Sequence, residues 1–559
     1  MDRRRFLQST ALGAATLALP AWARADALYD SAPKPGSPEL KALVAAALDA
    51  ARTGGAEYAE VHVLVSRFEQ VQRYVPRLGF GRLMPATTDR YFQGFYDESP
   101  FRSTTVGIGV RSLVRGYWGF SGADGVPTAE IAATLGREAA RQAKRAAQGK
   151  AREVQLAPAT VATGTWVMPG TDPFTIPLGE KMDWFDAMAS TMLQLQYDAK
   201  GLSGTLNFGR EERTFASSTG ALTTQTTYIS GARELFAEIT EDPTILEIPM
   251  GRIADFLTPA GAGWEYLANF SMEDGARSLL DEALLSRRES DPVDVGRYDV
   301  VFDARATAQL LDSTIGAATE LDRAMGYLAN TVGTSYMNDP VNMLGTLRVG
   351  APLLTVTANR SMPGGAATVQ WDDEGVTPRQ TALVTNGVLT DFQTTRESAG
   401  WLAPAYQRLG KPMLSNGCAR TRGSTPPTQC HPNLVMQPGA ESLTFEALVK
   451  SIKKGIAVIG GYCLPDFQAL TGSLRGEHVY KIENGVLGRI VRSSEVIYRA
   501  PELWRNVQVI GGQTSARTLG LYRSRHRNPM DDRDNVVHTV SAVPMKVTNV
   551  GLLNRSRKA

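Results

Sequence analysis

This chain of 559 residues has few cysteines, little net charge and few long apolar runs. Its three cysteines exclude a disulfide-dense scaffold. Lys and Arg total 59 against 57 Asp and Glu, so the net charge of +2 does not indicate a nucleic-acid partner. No stretch is long and apolar enough to span a bilayer comfortably, and the chain has neither a Gly-x-Ser-x-Gly elbow nor a phosphate-binding loop.

The amino terminus has the pattern of a twin-arginine export signal. The run Met1-Asp-Arg-Arg-Arg-Phe-Leu precedes a short apolar stretch, Ala11–Leu19, and a small-x-small cleavage pattern. Cleavage is expected after Ala25, with Ala23 as the second choice. Residues 1–25 are therefore interpreted as a signal peptide, and the mature protein is expected in the periplasm or medium, without membrane association.

The mature chain is long enough for more than one domain. About 530 residues remain after cleavage, more than a single core usually contains. The polar stretch at 286–297 lacks periodicity and predicts the main boundary. We expect an α+β protein with an N-terminal α/β layer domain at 38–285 and a β-rich C-terminal domain at 293–550.

Local patterns predict most of the elements. A polar turn at 218–220 is expected between two of the strands. Residues 75–103 are aromatic and basic without periodicity, which is typical of a loop or insertion. The predicted helices are 38–53, 127–147, 178–196 and 443–452, and the predicted extended segments include 57–66, 105–120, 202–208, 212–217, 222–229, 354–358, 380–384, 388–394, 455–460, 478–482 and 490–491.

The segment from Asp303 to Tyr327 carries the strongest functional signal. Asp303 follows an extended run and is a natural N-cap, because its carboxylate can accept the first free amides of a helix. Apolar residues then recur on two helical faces, which predicts a buried helix. The two faces consist of Ala304, Ala308, Leu311, Ile315 and Ala318, and of Leu310, Ala317, Leu321 and Ala324.

This segment, with motifs on both sides of it, resembles the TldD/PmbA family of metallopeptidases over about residues 38–550. In catalytic members the equivalent helix reads His-Glu-x-x-x-His and is followed by a pattern that Glu320, Asp322 and the Gly326-Tyr run fit here. Other matching motifs are Glu57-Tyr-Ala-Glu-Val-His, Val106-Gly-Ile-Gly-Val, Trp371-Asp-Asp-Glu-Gly-Val, Asn386-Gly-Val-Leu-Thr-Asp-Phe, Gly460-Gly and Tyr480-Lys-Ile-Glu-Asn-Gly.

The resemblance implies a zinc site whose ligands have been replaced. In the family's register the first histidine is Asp312, the glutamate is Ser313 and the second histidine is Ala317. Such a site needs neutral imidazoles and a carboxylate that activates water. A hydroxyl at Ser313 is no general base at neutral pH, and Ala317 has no donor atom.

The family's third ligand is a cysteine close to the C-terminus, whereas the last cysteine here is Cys463. The C-terminal tail offers only His526 and His538. The metal candidates are therefore Asp312, His526 and His538, and rescue by Cys463 stays open. No cofactor is expected, or zinc if replacement ligands assemble.

The expected function is that of an exported, non-catalytic family member. Catalytic relatives cleave peptides in a chamber formed by paired subunits, and a non-catalytic subunit type also exists. By resemblance, this chain binds a peptide or unfolded polypeptide, or completes a homodimer or heterodimer with another family subunit. The alternative is an active metal-dependent peptidase that uses Asp312, His538 and another donor.

Five other features carry weaker functional signals. Asp372, Asp373 and Glu374 form a carboxylate cluster, for which a solvated turn is favoured over a cation site. The basic run Arg523-Ser-Arg-His-Arg is expected in a solvated loop. Gly107-Ile-Gly lacks the third glycine of a dinucleotide fingerprint and fits a strand. For Cys418 and Cys430, pairing in an oxidising compartment and two free thiols are both open; His62 and His431 are expected to be structural or exposed.

Overall fold

The computed structural model describes residues 21–76, 101–149, 153–195, 199–239, 250–252, 257–285, 290–524 and 535–555. In the N-terminal half the helices are α1 Ala21–Ser31, α2 Pro38–Thr53, α3 Ala129–Ala146, α4 Leu178–Leu195, α5 Glu265–Ala268 and α6 Met272–Leu285. The strands are β1 Tyr58–Pro76, β2 Phe101–Val114, β3 Tyr117–Asp124, β4 Thr163–Val167, β5 Ala199–Ser217, β6 Leu222–Ile239 and β7 Met250–Arg252.

One twisted sheet organises this half, in the order β3-β2-β1-β5-β6-β4, with β7 paired to β6. Its neighbours are antiparallel except for the parallel pair β4 and β6. Helices α2 and α3 cover β1 and β2, because their Leu and Ala faces pack against strand residues such as Val61 and Ile108. Helices α4 and α6 form a second core over β5 and β6 around Phe185 and Leu206.

Capping side chains fix where these helices begin. Ser37 accepts a hydrogen bond from the Leu40 amide, and Thr128 accepts one from Ile131, so first-turn amides are satisfied. The helices predicted at 38–53, 127–147 and 178–196 are confirmed, within two residues at each end. The extended segments predicted at 202–208 and 212–217 are confirmed as strand, but the predicted break between them is wrong, because β5 runs unbroken through both and pairs with β1.

The C-terminal half is rich in short strands. Its helices are α7 Ala304–Leu311, α8 Leu321–Ala324, α9 Pro340–Met343, α10 Arg396–Trp401, α11 Ala403–Leu409, α12 Phe445–Lys450 and α13 Ala500–Arg505. Its strands are β8 Ser290–Asp291, β9 Gly296–Phe302, β10 Val356–Ala358, β11 Thr381–Thr385, β12 Val388–Leu389, β13 Ala419–Arg420, β14 Thr428–Gln429, β15 Leu434–Met436, β16 Lys454–Ile459, β17 Tyr462–Pro465, β18 Thr471–Arg475, β19 His478–Glu483, β20 Val486–Val491, β21 Ser494–Arg499, β22 Val507–Ile510, β23 Arg517–Ser524, β24 Asn535–Ala542 and β25 Met545–Asn554.

Two sheets enclose α7. One has the order β17-β18-β21-β25-β9-β16-β19-β20-β8, with β22 paired to β25, and the other has the order β12-β11-β10-β15-β24-β23. Helix α7 packs on β23 and β24 from the second sheet and on β9, β16 and β17 from the first. Phe302, Leu311 and Trp504 belong to the core between the sheets. The mixed helix and sheet content, with a sheet-rich C-terminal half, confirms the predicted α+β class.

A hairpin of the C-terminal half touches the sheet of the N-terminal half. A Cβ on Gly109 would lie 2.3 Å from the carbonyl oxygen of Gly423, and one on Gly107 would lie 2.9 Å from that of Arg422. Both glycines lie in β2, as expected, and their missing side chains let the hairpin backbone approach. Among the described residues, no helix is both long and apolar enough to cross a membrane.

Candidate functional site

The helix that resembles the family's active-site helix is interrupted in the middle. Asp303 caps α7: its Oδ1 accepts hydrogen bonds from the amides of Ala306 at 2.8 Å and Gly460 at 2.9 Å. After α7, residues Asp312–Gly316 form a π-helical turn. Such turns change which way the following side chains face and often occur at functional sites. The predicted cap and the burial of both apolar faces are confirmed, whereas the predicted continuous helix is broken here.

Asp312 begins the π turn and is 7% exposed. Its Oδ1 lies 2.8 Å from Nε2 of His538 in β24. Arg523 in β23 donates through Nη2 to the main-chain oxygen of Asp312 at 2.5 Å and to its Oδ2. Burial by itself raises the pKa of the Asp312 carboxyl, but Arg523 and His538 outweigh it and hold that pKa well below its usual range. Asp312 is therefore a buried carboxylate with two donors already in place.

Strand pairing brings Arg523 and His538 to one face. In the antiparallel pair β23 and β24, His538 lies opposite Leu521, and Arg523 follows Leu521 by two residues. The expectation that Arg523 lies in a solvated loop is wrong, because its side chain extends into the space beside Asp312 with only 14% exposure. The remaining basic residues, 525–527, lie outside the described residues. The alternation Leu519, Leu521, Arg523 was the available sequence signal for an inward side chain.

Ser313 and Ala317, which the resemblance aligns with the motif's glutamate and second histidine, are buried too. Ser313 hydrogen-bonds the Cys463 thiol, which reaches it from β17. Burial raises the pKa of Cys463 to about 12, although the hydroxyls of Ser313 and Tyr498 act in the opposite direction. The thiol is therefore protonated at neutral pH. Ala317 contributes a methyl group to the core.

A second histidine, His431, lies next to His538. The rings of His431 and His538 are 5.2 Å apart between centroids, and Nδ1 of His431 lies 2.8 Å from Oε1 of Glu320. The Nδ1 atom of His538 is buried without a hydrogen-bond partner in the described part of the chain. Arg523, Asp312, His538, His431 and Glu320 thus form a continuous buried row between the two C-terminal sheets.

The predicted metal candidates are only partly assembled. Asp312 and His538 are adjacent, whereas His526 lies outside the described residues. Within residues 290–524 and 535–555, as in the other described ranges, no three His, Cys, Asp or Glu side chains form a group suited to a metal ion. Residue chemistry alone would not have placed Arg523 beside Asp312 or His431 beside His538.

The carboxylate cluster at 372–374 is buried, so the expected solvated turn is wrong. Oδ1 of Asp372 accepts hydrogen bonds from the amides of Glu374 and Val376, each at 2.9 Å, and its Oδ2 accepts one from Ala419 at 3.0 Å. Burial and the neighbouring Glu374 raise the pKa of Asp372 to about 7. Asp372 therefore shapes a buried loop.

The other two carboxylates of the cluster join the halves of the protein. Asp373 accepts a hydrogen bond from Arg213 of β5 at 2.5 Å, and Glu374 accepts one from Arg111 of β2 at 2.7 Å. Arg111 also pairs with the buried Glu60 of β1. Each charge has an opposite partner, which is the usual requirement for burial. The cluster is thus explained by attachment of one half to the other.

Cys418 and Cys430 lie directly opposite each other. The register of β13 and β14 pairs Ala419 with Gln429, and the Cys430 amide donates to the Cys418 carbonyl at 2.7 Å. Both are buried free thiols, and burial is the main factor that raises the pKa of Cys418 far above its usual value. His62 is buried in β1 beside Glu60, consistent with the structural position expected for it.

Beside the Asp312 site, β17 forms one edge of its sheet, since it pairs only with β18 among the described strands. Cys463 faces Ser313, while Tyr462 and Leu464 are exposed. Phe467, just after the strand, is 75% exposed. An apolar strand edge therefore lies directly next to the π turn.

Comparison with known proteins agrees with this architecture. Residues 295–539 match the family model described as the PmbA/TldA metallopeptidase C-terminal domain. A metalloprotease of Methanocaldococcus jannaschii is 24% identical over 405 residues, covering 69% of this chain and 79% of the relative. A zinc metalloprotease TldD homologue of Saccharolobus solfataricus is 24% identical over 186 residues, 33% of this chain and 37% of the relative.

A solved structure extends the likeness to nearly the whole chain. The crystal structure of TldE from Thermococcus kodakarensis superposes with a TM-score of 0.61 at 14% identity, and the match covers 91% of this chain and 99% of that one. At this identity the superposition establishes the fold alone. Together with the family model and the curated relatives, it supports membership of the TldD/PmbA family of metallopeptidase-like proteins.

Proposed function

We propose that this protein is an exported, non-catalytic member of its family that binds peptides or serves as a partner subunit. The observation that carries the proposal is the contact between Arg523 and Asp312, the residue in the position of the family's first zinc-binding histidine. A guanidinium cannot coordinate zinc, and here it donates to one carboxylate oxygen, Oδ2, and to the main-chain oxygen of Asp312.

The side chains at the other two motif positions also do not fit zinc hydrolysis. A catalytic zinc normally has three protein ligands and an adjacent group that accepts a proton from water. Ser313 supplies a hydroxyl that is engaged with Cys463, and Ala317 supplies no donor. Asp312 and His538 remain as two possible ligands, and Arg523 occupies the first of them.

The edge strand β17 supports peptide binding. An extended peptide can add to an exposed sheet edge through main-chain hydrogen bonds, and exposed side chains on the edge then set its preference. Tyr462, Leu464 and Phe467 give this edge an apolar character, and Cys463 connects it to the π turn. A peptide on β17 would lie beside the Asp312 site.

Contacts in the second half of α1, from Asp26 onward, support a mature chain that begins at Asp26. Asp26 pairs with Arg67 at 2.6 Å and Arg102 at 3.2 Å, and the Tyr29 hydroxyl donates to Glu212 at 2.7 Å. These contacts tie the first residues after the predicted cleavage site to the N-terminal sheet. Export through the twin-arginine pathway remains our proposal from the sequence.

A partner subunit of the same family is the second part of the proposal. TldE, the structural relative named above, supports it by fold, because the likeness covers almost all of both chains. Co-expression with a family member that has an intact His-Glu-x-x-x-His helix, followed by size-exclusion chromatography, tests this. Co-elution at equal stoichiometry is expected for a heterodimer, whereas elution only with itself supports a homodimer.

The alternative function is an active peptidase with replacement ligands, and the 2.8 Å contact between Asp312 and His538 favours it. To separate the two, the chain from Asp26 onward is incubated with a set of unfolded peptides. Peptide association is followed by fluorescence anisotropy and peptide products by mass spectrometry. Binding without products is expected. Cleavage that a chelator stops and that Asp312→Ala abolishes would establish the alternative instead.

A further inference from the structure

The hairpin β13–β14 is a part of the C-terminal half that contacts the N-terminal sheet. Arg420 of β13 pairs with Glu211 of β5 at 2.7 Å, and Arg213 of β5 donates to the Thr421 carbonyl oxygen at 2.9 Å. The backbone of the hairpin also lies against the glycines of β2 described above. The stability of this hairpin therefore bears on how firmly the two halves are joined.

Cys418 and Cys430 form the base of the hairpin, because the pairing of Ala419 with Gln429 continues outward to them. The Cys430 amide donates to the Cys418 carbonyl oxygen at 2.7 Å, so the two residues face each other across the hairpin. Opposite residues of an antiparallel pair have Cα atoms about 4.5–5.5 Å apart and side chains on the same face. A disulfide joins Cα atoms that are about 4.4–6.8 Å apart, so the backbone already has a suitable separation.

The two thiols share one buried environment. Each cysteine is only 1% exposed. Burial is the largest factor that raises the pKa of the Cys418 thiol, Cys430 raises it further, and Arg360 lowers it, which shows that the two sulfur atoms are near each other. Sγ of Cys418 lies 3.9 Å from the Asn416 carbonyl oxygen, and a thiol is a weak donor. Joining the sulfurs therefore gives up no strong hydrogen bond of Cys418.

We propose that Cys418 and Cys430 form a disulfide that cross-links the base of the hairpin β13–β14 and so holds the C-terminal half more firmly on the N-terminal sheet. When the pair is reduced, the hairpin opens more readily, so the junction is sensitive to redox conditions. This inference goes beyond the proposed function and does not depend on it, because neither cysteine contacts the π turn or β17.

The oxidant is an exchangeable disulfide, of which oxidised glutathione is an example. The thiolate of one cysteine attacks a sulfur of the oxidant, which forms a mixed disulfide and releases one thiol. The other cysteine attacks the protein sulfur of this mixed disulfide and releases a second thiol. The protein loses two electrons and two protons, and the two released thiols carry them.

Opening of the hairpin controls the rate of this exchange. A buried thiol reacts slowly, because the thiolate is the nucleophile and the oxidant has to reach it. Oxidation of the folded chain is therefore expected to be slow and to become faster in mild urea, which favours local opening. Once formed, the disulfide is buried and is protected from reductants in the same way.

The first test detects the bond in the full chain, purified in the reduced form and incubated with oxidised glutathione in buffer and in mild urea. Remaining thiols are alkylated, and the unreduced tryptic digest is analysed by mass spectrometry. Trypsin cuts after Arg420 and Arg422, so the peptides of Cys418 and Cys430 stay together only through a disulfide. We expect this linked pair, lighter than its two thiol peptides by two hydrogen atoms, and an alkylated Cys463.

The second test measures the effect of the bond on the hairpin by hydrogen exchange. Amides of β13 and β14 should exchange about tenfold or more slowly in the oxidised than in the reduced protein, because the cross-link removes open conformations. Cys418→Ala and Cys430→Ala should exchange like the reduced protein and should not respond to the oxidant. Cys463→Ala keeps the pair and should respond like the unmodified chain. Circular dichroism checks the folding of each variant.

Two results would overturn the inference. Absence of the linked peptides both in buffer and in mild urea, or glutathione that stays attached to one cysteine, would disprove the disulfide. Linked peptides with unchanged amide exchange would show that the bond does not hold the hairpin. The peptide-binding and cleavage assays are independent of both results, so the proposed function is judged separately.

Discussion

His538 and Asp312 are 226 residues apart in the chain, and Nε2 of the first lies 2.8 Å from Oδ1 of the second. The contact joins strand β24 to the π turn that follows α7. Arg523, from the neighbouring strand β23, donates to the same carboxylate group. Stability and any metal chemistry of this region therefore depend on the same three side chains.

Removing the Asp312 carboxylate should destabilise the protein strongly. Asp312→Ala leaves the buried Arg523 without its opposite charge, and breaking a buried pair from one side typically costs about 3–5 kcal/mol. Urea unfolding of the mature chain measures the loss. Asp49→Ala, which breaks an exposed pair with Arg52 on the surface of α2, is the control and should have no measurable effect. Equal midpoints for the two variants would contradict a structural role for the row.

Acid should weaken the ion pair between Glu211 of β5, in the N-terminal half, and Arg420 of β13, in the C-terminal half. Burial opposes ionisation of Glu211, but Arg213 and Arg420 lower its pKa from 4.5 to about 2. A depressed carboxyl pKa contributes stability above pH 4.5, and this contribution is lost as the pH falls from 4.5 towards 2. In Glu211→Gln the free energy of unfolding should depend less on pH in that window. Unfolding curves at several pH values measure it, and identical pH profiles would rule out the assignment.

Close approach of the halves should make Gly109 sensitive to a single methyl group. A Cβ there would lie 2.3 Å from the Gly423 carbonyl, and relieving such overlap costs about 1–3 kcal/mol. Gly109→Ala is therefore expected to lower the thermal midpoint. Gly179→Ala in α4 is the matched control, because no atom lies within 4 Å of its added Cβ. A Gly109→Ala protein as stable as the control would show that the hairpin does not dock this way.

Peptide binding should depend on the apolar edge at β17. Leu464→Glu places a charge on the exposed edge, removes apolar contact area and is expected to weaken peptide binding about fivefold or more. Val486→Glu is the control, since Val486 is an exposed apolar residue on β20, near the other end of the same sheet. Anisotropy titration with one labelled peptide compares the two. Equal weakening by both variants would place the peptide elsewhere.

Export should require the arginine pair of the signal. The twin-arginine receptor recognises Arg3 and Arg4, so changing both to Lys should leave the uncleaved precursor in the cytoplasm. Cell fractionation and the precursor's mass report the outcome, and an unrelated twin-arginine substrate in the same cells serves as the control. Normal processing of the double-Lys variant would refute this route.

Much of the fold follows from local sequence. The predicted N-cap Asp303 forms the expected hydrogen bond, and Ser37 and Thr128 cap their helices in the same way, because capping depends on residues only two or three positions apart. Alternation and turn residues likewise identify the long strands of the N-terminal sheet, β1, β2, β5 and β6, whereas many short strands of the C-terminal half, such as β13–β15 and β21–β25, were not predicted. The family resemblance, confirmed by the family model and the curated relatives, rests on the order of such local motifs.

The state of the candidate site was decided by tertiary structure. The sequence indicated that Asp312, Ser313 and Ala317 replace the family's motif residues, but it predicted a solvated position for Arg523 and for the cluster at 372–374. Arg523 meets the carboxylate of Asp312 in the π turn. Asp373 and Glu374 meet arginines of the N-terminal sheet, and all three contacts join residues far apart in sequence. Charge pairing across long sequence separations has no local signature, since a basic strand residue and a basic loop residue look alike until the partner strand is in place.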